Sequence, residues 1–225
     1  GHPDGGAHRT APGDFRARKI SSCDNSPIMQ TCWTLVEGAA AGDGEARSRF
    51  AQTYLPVVRA YLVSRWSDGP MRGELEDAVQ ECFIECFREG GALQRIDAPR
   101  EGRFRAFLHA VVTNIARRFE ERRGRDRNSP LPDVADDDPR ASRAFDRAWA
   151  EALLRRASER MLASARGEEA LRRVALLRLR FGEGQPIREI AKAWGADPVL
   201  VHREYARARD EFKQALDRIQ PTQRG

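Results

Sequence analysis

The sequence predicts an all-α protein made of two small helical domains joined by a flexible linker. Apolar residues recur at three- and four-residue spacing in several separate segments, which is typical of helices that each bury one face. None of these segments has the alternation of a half-buried strand. A stretch rich in proline and aspartate, residues 126–142, divides the helical segments into a group at 29–125 and a group at 143–219, which we interpret as the two domains.

The two ends of the chain carry no helical pattern. Residues 1–28 mix glycine, proline, serine and scattered charge without an apolar period, so we expect a disordered arm, and residues 220–225 form a short tail. No segment has the roughly 18 apolar residues that a membrane-spanning helix needs. The four cysteines form no CxxC pair and fit a reducing cytosol. We therefore expect a cytoplasmic protein without membrane insertion.

The amino-terminal group begins with a short helix and a long one. The pattern starts at Trp33 and breaks at Gly42-Asp43-Gly44, where Asp43 can cap the next helix. That helix runs to about Trp66, with Pro56 at a position where proline can kink it. Its apolar face is formed by Phe50, Tyr54, Val57, Val58, Tyr61 and Leu62.

The third helix begins near Gly73, ends at Gly90-Gly91 and has two contrasting faces. Its buried face is predicted to consist of Leu75, Ala78, Val79, Cys82, Phe83, Cys86 and Phe87. We expect the two cysteines to be core thiols and not a redox switch. The opposite face is acidic, with Glu74, Glu76, Asp77, Glu81 and Glu85. Acids in the first turn stabilise a helix through its dipole. From these residues alone, a face that only contacts solvent and a face that binds a partner are therefore equally good interpretations.

The fourth helix, near 103–123, has an arginine-rich face. Residues 103–127 contain eight arginines and three acids. This excess of positive charge is typical of a surface that contacts the phosphates of DNA or RNA. The candidate contacts are Arg105, Asn114, Arg117, Arg118 and Arg122. We expect Phe104, Phe107 and Phe119 to pack in the core, because they share the apolar face of the helix with Leu108, Val111 and Ile115.

Helical patterns at 143–164 and 168–181 are followed at 186–218 by the spacing of a helix-turn-helix. The segment consists of a short helix, then a turn at Gly195 and then a longer helix that Asp197 can cap. In DNA-binding proteins with this motif, the second helix lies in the major groove. The candidate DNA contacts are Arg188, His202, Arg203, Arg207 and Arg209. An αα-hairpin that packs on other helices and contacts no DNA is the alternative.

Glu204 reduces the positive charge of the second helix of this motif. Residues 197–218 contain five acids and five bases, so the helix is not strongly basic. A carboxylate at this position can accept a hydrogen bond from cytosine, or it can pair with a neighbouring arginine. We favour the pairing.

Together these segments resemble the sigma-70 family of bacterial transcription initiation factors, specifically its extracytoplasmic-function group. The stretch from Glu76 to Phe83, EDAVQECF, is similar to the family's Asp-Leu-Val-Gln-Glu-Val-Phe. FRAFL at 104–108 with NIARR at 114–118 is similar to Phe-Arg-x-Trp-Leu and Ala-Arg-Asn-x-Ala. IREIA at 187–191 resembles Tyr-x-Glu-Ile-Ala, and 201–209 resembles the family's Val-Arg-Ser and His-Arg-Ala-Arg run. The resemblance covers residues 31–125 and 145–218.

The resemblance implies a protein that binds other macromolecules, without enzymatic activity and without a cofactor. Residues 29–125 correspond to sigma region 2, which binds the β′ clamp helices of core RNA polymerase and the −10 promoter element. The residues that match the polymerase-binding motif are Glu76, Asp77, Gln80 and Glu81. Residues 143–219 correspond to region 4, which binds the −35 element of promoter DNA. An anti-sigma factor or another regulator is a further partner that the family allows. The linker either threads a channel of the polymerase or serves as a tether.

Three positions depart from the family pattern, and two other functions stay open. Phe107 stands where the family usually has tryptophan, and His202 and Glu204 stand where arginines are common. The resemblance therefore implies an unusual or weakly bound −35 element. The alternative functions are a helix-turn-helix transcriptional regulator without sigma activity and a helical protein-binding adaptor.

Overall fold

In the computed structural model, the protein is helical throughout the residues that the structure describes, which are 32–67, 69–96, 103–127 and 138–219. This confirms the predicted all-α class. The arm predicted at 1–28 and the tail at 220–225 lie outside the described residues. Within the described ranges, no helix combines the length and the apolar character that crossing a membrane requires.

Eight α-helices follow one another in the described ranges. They are α1 (Cys32–Ala40), α2 (Gly44–Arg65), α3 (Leu75–Phe87), α4 (Arg103–Arg127), α5 (Pro139–Ser164), α6 (Gly167–Leu177), α7 (Ile187–Ala193) and α8 (Pro198–Ile219). Short 3₁₀ turns at Pro70–Glu74 and Ala92–Arg95 flank α3, and a π-helical turn at Arg178–Gly182 follows α6.

The predicted breaks between the amino-terminal helices are confirmed. Asp43 caps α2, since its carboxylate accepts a hydrogen bond of 2.6 Å from the backbone N–H of Ala46. The helix then continues through Pro56. After α3, Gly91 lies so close to the preceding turn that a Cβ there would be 2.5 Å from the carbonyl oxygen of Arg88. Only glycine fits this position, which lies just after the end of α3 at Phe87.

The predicted linker is too long at both ends. α4 continues to Arg127 and α5 begins at Pro139, so residues 126–127 and 139–142 are helical, while 128–137 lie outside the described residues. The carboxylate of Asp138 accepts hydrogen bonds from the backbone N–H groups of Arg140 at 2.8 Å and Ala141 at 3.3 Å. The Asp-Pro pair that we assigned to the linker is therefore the N-cap and first residue of α5.

A large apolar core joins α1 to α4 with the first half of α5. The predicted apolar faces of α2, α3 and α4 all contribute to it. From α5, Trp149 stacks on Tyr54 of α2 with ring centroids 5.3 Å apart, and Phe145 is fully buried. The sequence placed this part of α5 in the second domain, but its aromatic side chains pack with the amino-terminal helices.

The second half of α5 packs against the carboxy-terminal helices. Met161 forms a buried cluster with Ala208 and Ala215 of α8. A neighbouring core holds α6, α7 and α8 together and consists of Leu176, Ile187, Ile190, Ala191 and Val201. α5 thus contributes to the cores on both sides of the boundary predicted near residue 142.

A buried ion pair connects α2 to α4. Arg65 donates two hydrogen bonds to Glu120, of 2.7 and 2.9 Å, and the indole N–H of Trp66 donates a third of 2.8 Å to the same carboxylate. Burial lowers the pKa of Arg65, but the hydrogen bond and the charge of Glu120 outweigh it, so the net shift is upward. The guanidinium therefore stays charged inside the core.

Candidate polymerase and nucleic-acid surfaces

The acidic face of α3 is exposed where the predicted polymerase-binding residues lie. Asp77 and Gln80 are exposed, and Glu81 is half-buried. Glu76 pairs with Arg59 of α2, with 2.6 Å between the carboxylate and guanidinium atoms. Asp77, Gln80 and Ile84 follow one another at i, i+3 and i+7, which places them in a single stripe along the helix.

Beside this stripe, an apolar groove runs between α2 and α3. It is open to solvent and has a volume of about 630 Å³, and its lining includes the apolar Leu55, Val79, Phe83 and Ile84 and the polar Glu76, Gln80 and Arg88. Leu55 and Ile84 leave 40% and 47% of their surface exposed. Neither residue was predicted from the sequence to be functional. The available signal was that each is a large apolar side chain outside the helical apolar stripe, which marks an interaction surface more often than a core position.

Glu85 does not belong to the exposed acidic face to which the sequence assigned it. Its side chain is 11% exposed and is bound by Arg88 at 2.9 Å and Arg95 at 2.8 Å. The hydrogen bond from Arg88 lowers the pKa of Glu85 more than burial raises it, and the charges of Arg88, Arg118 and Arg95 lower it further. Glu85 therefore ties α3 to the loop that follows it.

The basic face of α4 is exposed along its length. Asn114, Arg117, Arg118, Arg122 and Arg125 are all exposed, as the helical spacing predicted. The guanidinium of Arg122 lies 4.1 Å from the centroid of the Phe119 ring, which holds it against the helix surface. Phe104 and Phe119 are buried and Phe107 packs against the core, so the prediction that these rings pack in the core is confirmed.

Arg105 differs from Arg118 and Arg122, because it pairs with an acid of α5. It forms an ion pair with Asp146 of α5, and its guanidinium lies 6.0 Å from the centroid of the Phe145 ring. One turn further along α4, a ring nitrogen of His109 is 3.1 Å from the hydroxyl of Ser142. The amino-terminal end of the predicted −10 surface is therefore engaged by α5 in this structure.

A short turn joins the carboxy-terminal helices α7 and α8, where the sequence predicts a helix-turn-helix. Gly195 has a φ of +57°, the left-handed conformation that the tight turn between α7 and α8 requires. The carboxylate of Asp197 accepts a hydrogen bond of 2.8 Å from the backbone N–H of Val199, so the predicted cap of α8 is confirmed. The predicted inner side of α8 is also confirmed, since Val201 and Ala208 are buried and Tyr205 and Phe212 are half-buried.

Glu204 pairs with arginines, as we favoured from the sequence. Its two carboxylate oxygens accept hydrogen bonds of 3.0 Å from Arg207 and 3.3 Å from Arg173. Arg173 is mostly buried and also lies 2.8 Å from Glu211, so it fastens α6 to α8. Since Arg207 is engaged by Glu204, less of its charge is available to a DNA phosphate.

The amino-terminal turns of α8 present a mixed surface. His202 and Arg203 are exposed. Val199 and Leu200 lie beside them and leave 72% and 48% of their surface exposed, which the sequence analysis did not single out. Arg209 lies over the Tyr205 ring at 5.8 Å, and Arg188 of α7 is 3.6 Å from Glu189. Major-groove contact at this end would therefore combine one imidazole, one arginine fork and apolar groups.

Comparisons with models of known protein families and with curated proteins found no match. Among the described residues, no group of three or more histidine, cysteine, aspartate or glutamate side chains could hold a metal ion.

Proposed function

We propose that this chain is a sigma factor, which binds core RNA polymerase in the cytoplasm and directs it to promoters with particular −10 and −35 elements. In this role the chain binds its partners, the polymerase and promoter DNA, and catalyses no reaction. It is supported by the resemblance of four sequence segments to the sigma-70 family and by the geometry of three surfaces, which lie on α3, on α4 and on α7–α8.

The observation that carries the proposal is the groove between α2 and α3 beside the Asp77–Gln80 stripe. A groove with an apolar floor of Leu55, Val79, Phe83 and Ile84 and a polar edge suits helices from a partner, because apolar contacts provide affinity and the polar edge fixes orientation. In the family, the matching acid and glutamine dock on the β′ clamp helices. The exposure of Asp77 and Gln80 is what this role requires.

On the DNA side, we assign the −10 element to α4. Its exposed arginines would neutralise phosphates, and each neutralised phosphate releases bound counterions, which drives association. Unpairing and flipping a base costs a few kcal/mol, which the phosphate contacts and the polymerase would offset. We assign Arg117, Arg118 and Arg122 to this role, together with Asn114. Arg105 would join them only after its ion pair with Asp146 opens.

For the −35 element, the assigned surface is the amino-terminal end of α8. Arg203 and His202 would face the base edges, while Arg188 and Arg209 would contact phosphates. The pairing of Glu204 with Arg207 removes one positive group from this surface. We therefore infer that this factor binds its −35 element weakly and depends more on the polymerase and the −10 contacts for promoter affinity.

Retention on immobilised core polymerase tests the central assignment. A variant with Asp77→Ala and Gln80→Ala, and separately Ile84→Ser, should weaken retention by about tenfold or more, since a good interface contact contributes on the order of 1 to 3 kcal/mol. All three residues are exposed, so their replacement should leave the fold intact.

A matched control removes the same two side-chain types from another helix. Asp210→Ala with Gln214→Ala changes an exposed acid and an exposed glutamine on one face of α8, and it should leave retention unchanged. If the unaltered chain is not retained, or if the α3 and α8 variants are retained equally well, the polymerase assignment is wrong. Binding of the unaltered chain to DNA without any retention on polymerase would instead favour a regulator without sigma activity.

A further inference from the structure

A second cleft lies between α2 and α5, away from the groove on α3. It encloses about 400 Å³, and its lining includes buried apolar residues, Leu35 of α1 and Ala152 of α5. This volume falls within the range of roughly 300 to 1,000 Å³ that is typical of small-molecule sites in proteins. A folded partner or a DNA duplex is too large to enter it.

The walls of the cleft are positively charged. Its lining contains three arginines, Arg49 of α2 and Arg155 and Arg156 of α5, and one acid, Glu159. These four side chains have a net charge of +2. Gln52 and Thr53 add neutral hydrogen-bonding groups from α2. Guanidinium groups present several N–H donors in a planar fork, which matches the oxygens of phosphate and carboxylate groups, and the net positive charge favours an anion that carries more than one negative charge.

The arginine on α2 is held only loosely by the protein. Arg49 lies 3.8 Å from Glu45, a carboxylate whose side chain is 69% exposed. The side chain of Arg49 is itself 30% exposed, and an ion pair at this distance near the surface contributes little, at most about 1 kcal/mol, so a doubly charged ligand can displace it. Arg155 is exposed, so its side chain can move toward a bound anion without loss of core packing.

We propose that this cleft binds a small polyphosphate anion, of the class to which pyrophosphate and nucleoside triphosphates belong. Three arginines from two helices would share its charge, and Glu159 would accept a hydrogen bond from a hydroxyl or amine of the same ligand. Because α2 and α5 both line the cleft, a ligand there would strengthen the packing of α5 on the amino-terminal helices. The inference does not depend on the proposed sigma function.

Calorimetric titration of the full chain with ATP, and separately with inorganic pyrophosphate, tests the proposal without polymerase or promoter. The expected result is saturable binding of one ligand per chain, together with an increase in the thermal midpoint of several degrees at saturating ligand. Arg155→Ala and Arg49→Ala should each weaken binding by about tenfold or more, since each removes a charge-assisted hydrogen bond. Arg155→Lys should weaken it less than Arg155→Ala.

The control is Arg147→Ala, which removes an exposed arginine from the same helix outside the cleft and should leave affinity unchanged. No saturable binding of either probe at millimolar concentration would overturn the proposal. Equal affinity of the Arg155→Ala and Arg147→Ala variants would also overturn it, because the binding would then be due to net charge. Competition by a short DNA duplex as effective as that of ATP would assign the arginines to the DNA backbone and contradict a small-molecule site.

Discussion

Arg65 and Glu120 form an ion pair inside the amino-terminal core, where their side chains are 1% and 9% exposed. Both arms of the Arg65 fork contact the carboxylate, and the indole N–H of Trp66 donates to it as well. The sequence did not predict this pair. Arg65 and Glu120 are 55 positions apart on different helices, so nothing within either helix indicates that the two side chains pair.

Replacing Glu120 should destabilise the protein strongly. In a Glu120→Ala variant the guanidinium of Arg65 stays buried without its counter-charge, and we expect a loss of about 3 to 5 kcal/mol in the free energy of unfolding. The neighbouring Glu121 is exposed, so Glu121→Ala should change it by less than about 0.5 kcal/mol. Chemical denaturation of both variants measures the difference. Equal stabilities would show that the pair contributes no more than a surface contact.

Cys82 and Cys86 were predicted to be core thiols, and the structure confirms that both are buried. Burial raises the pKa of both thiols, and that of Cys86 reaches about 12. Since the thiolate is the reactive form, both should resist alkylation at pH 8 in the folded protein. With Cys23 and Cys32 replaced by serine, mass spectrometry should detect modification only after denaturant is added. Rapid labelling of the native protein would contradict this assignment.

At the scale of whole elements, the sequence predicted the helices well and their packing less well. The helical period located the apolar faces of α2, α3 and α4, because each face is read from residues within one segment. The packing of α5 depends instead on which distant surface its side chains contact. Phe145 and Trp149 follow the predicted linker, so the sequence assigned them to the second domain. Trp149 nevertheless packs on Tyr54 and Phe104 of the first, and Phe145 packs on Tyr61.

The contact between α5 and α4 should limit access of DNA to Arg105. Asp146→Ala removes the partner of Arg105 and should increase the affinity for nonspecific duplex DNA. One additional phosphate contact should also steepen the slope of log affinity against log salt concentration by about 0.9. Glu151→Ala removes the same charge from an exposed position of α5 and serves as the control. Fluorescence anisotropy at several salt concentrations measures both. If the two variants bind DNA equally, the ion pair has no specific role.

The two elements that we propose bind DNA should differ in the kind of contact that they make. Arg203→Ala on α8 should relax the preference at one upstream promoter position by about 1 to 3 kcal/mol, because an arginine fork at a base edge discriminates between bases. Arg118→Ala on α4 should weaken binding evenly across sequences and reduce the salt slope by about 1, because it would contact a phosphate. Competition binding with a promoter library measures both effects. The reverse pattern would exchange the two assignments.

For the whole molecule, we propose that the groove on α3, the arginine face of α4 and the predicted helix-turn-helix serve one process, transcription initiation. The positions of Asp77, Gln80 and the α4 arginines were predicted from the sequence, because they lie on exposed helical faces whose period is regular. Leu55 and Ile84 were missed, since a groove between two helices becomes visible only when the helices are packed together.

Run-off transcription with purified core polymerase on a library of promoters tests this claim. Transcripts are expected only when the chain is present, from promoters that share a well-defined −10 motif and a poorly defined −35 motif. The variant with Asp77→Ala and Gln80→Ala should reduce the yield by about tenfold or more, in proportion to the loss of polymerase affinity. If core polymerase with the chain produces no promoter-dependent transcript from any member of the library, the claim is wrong.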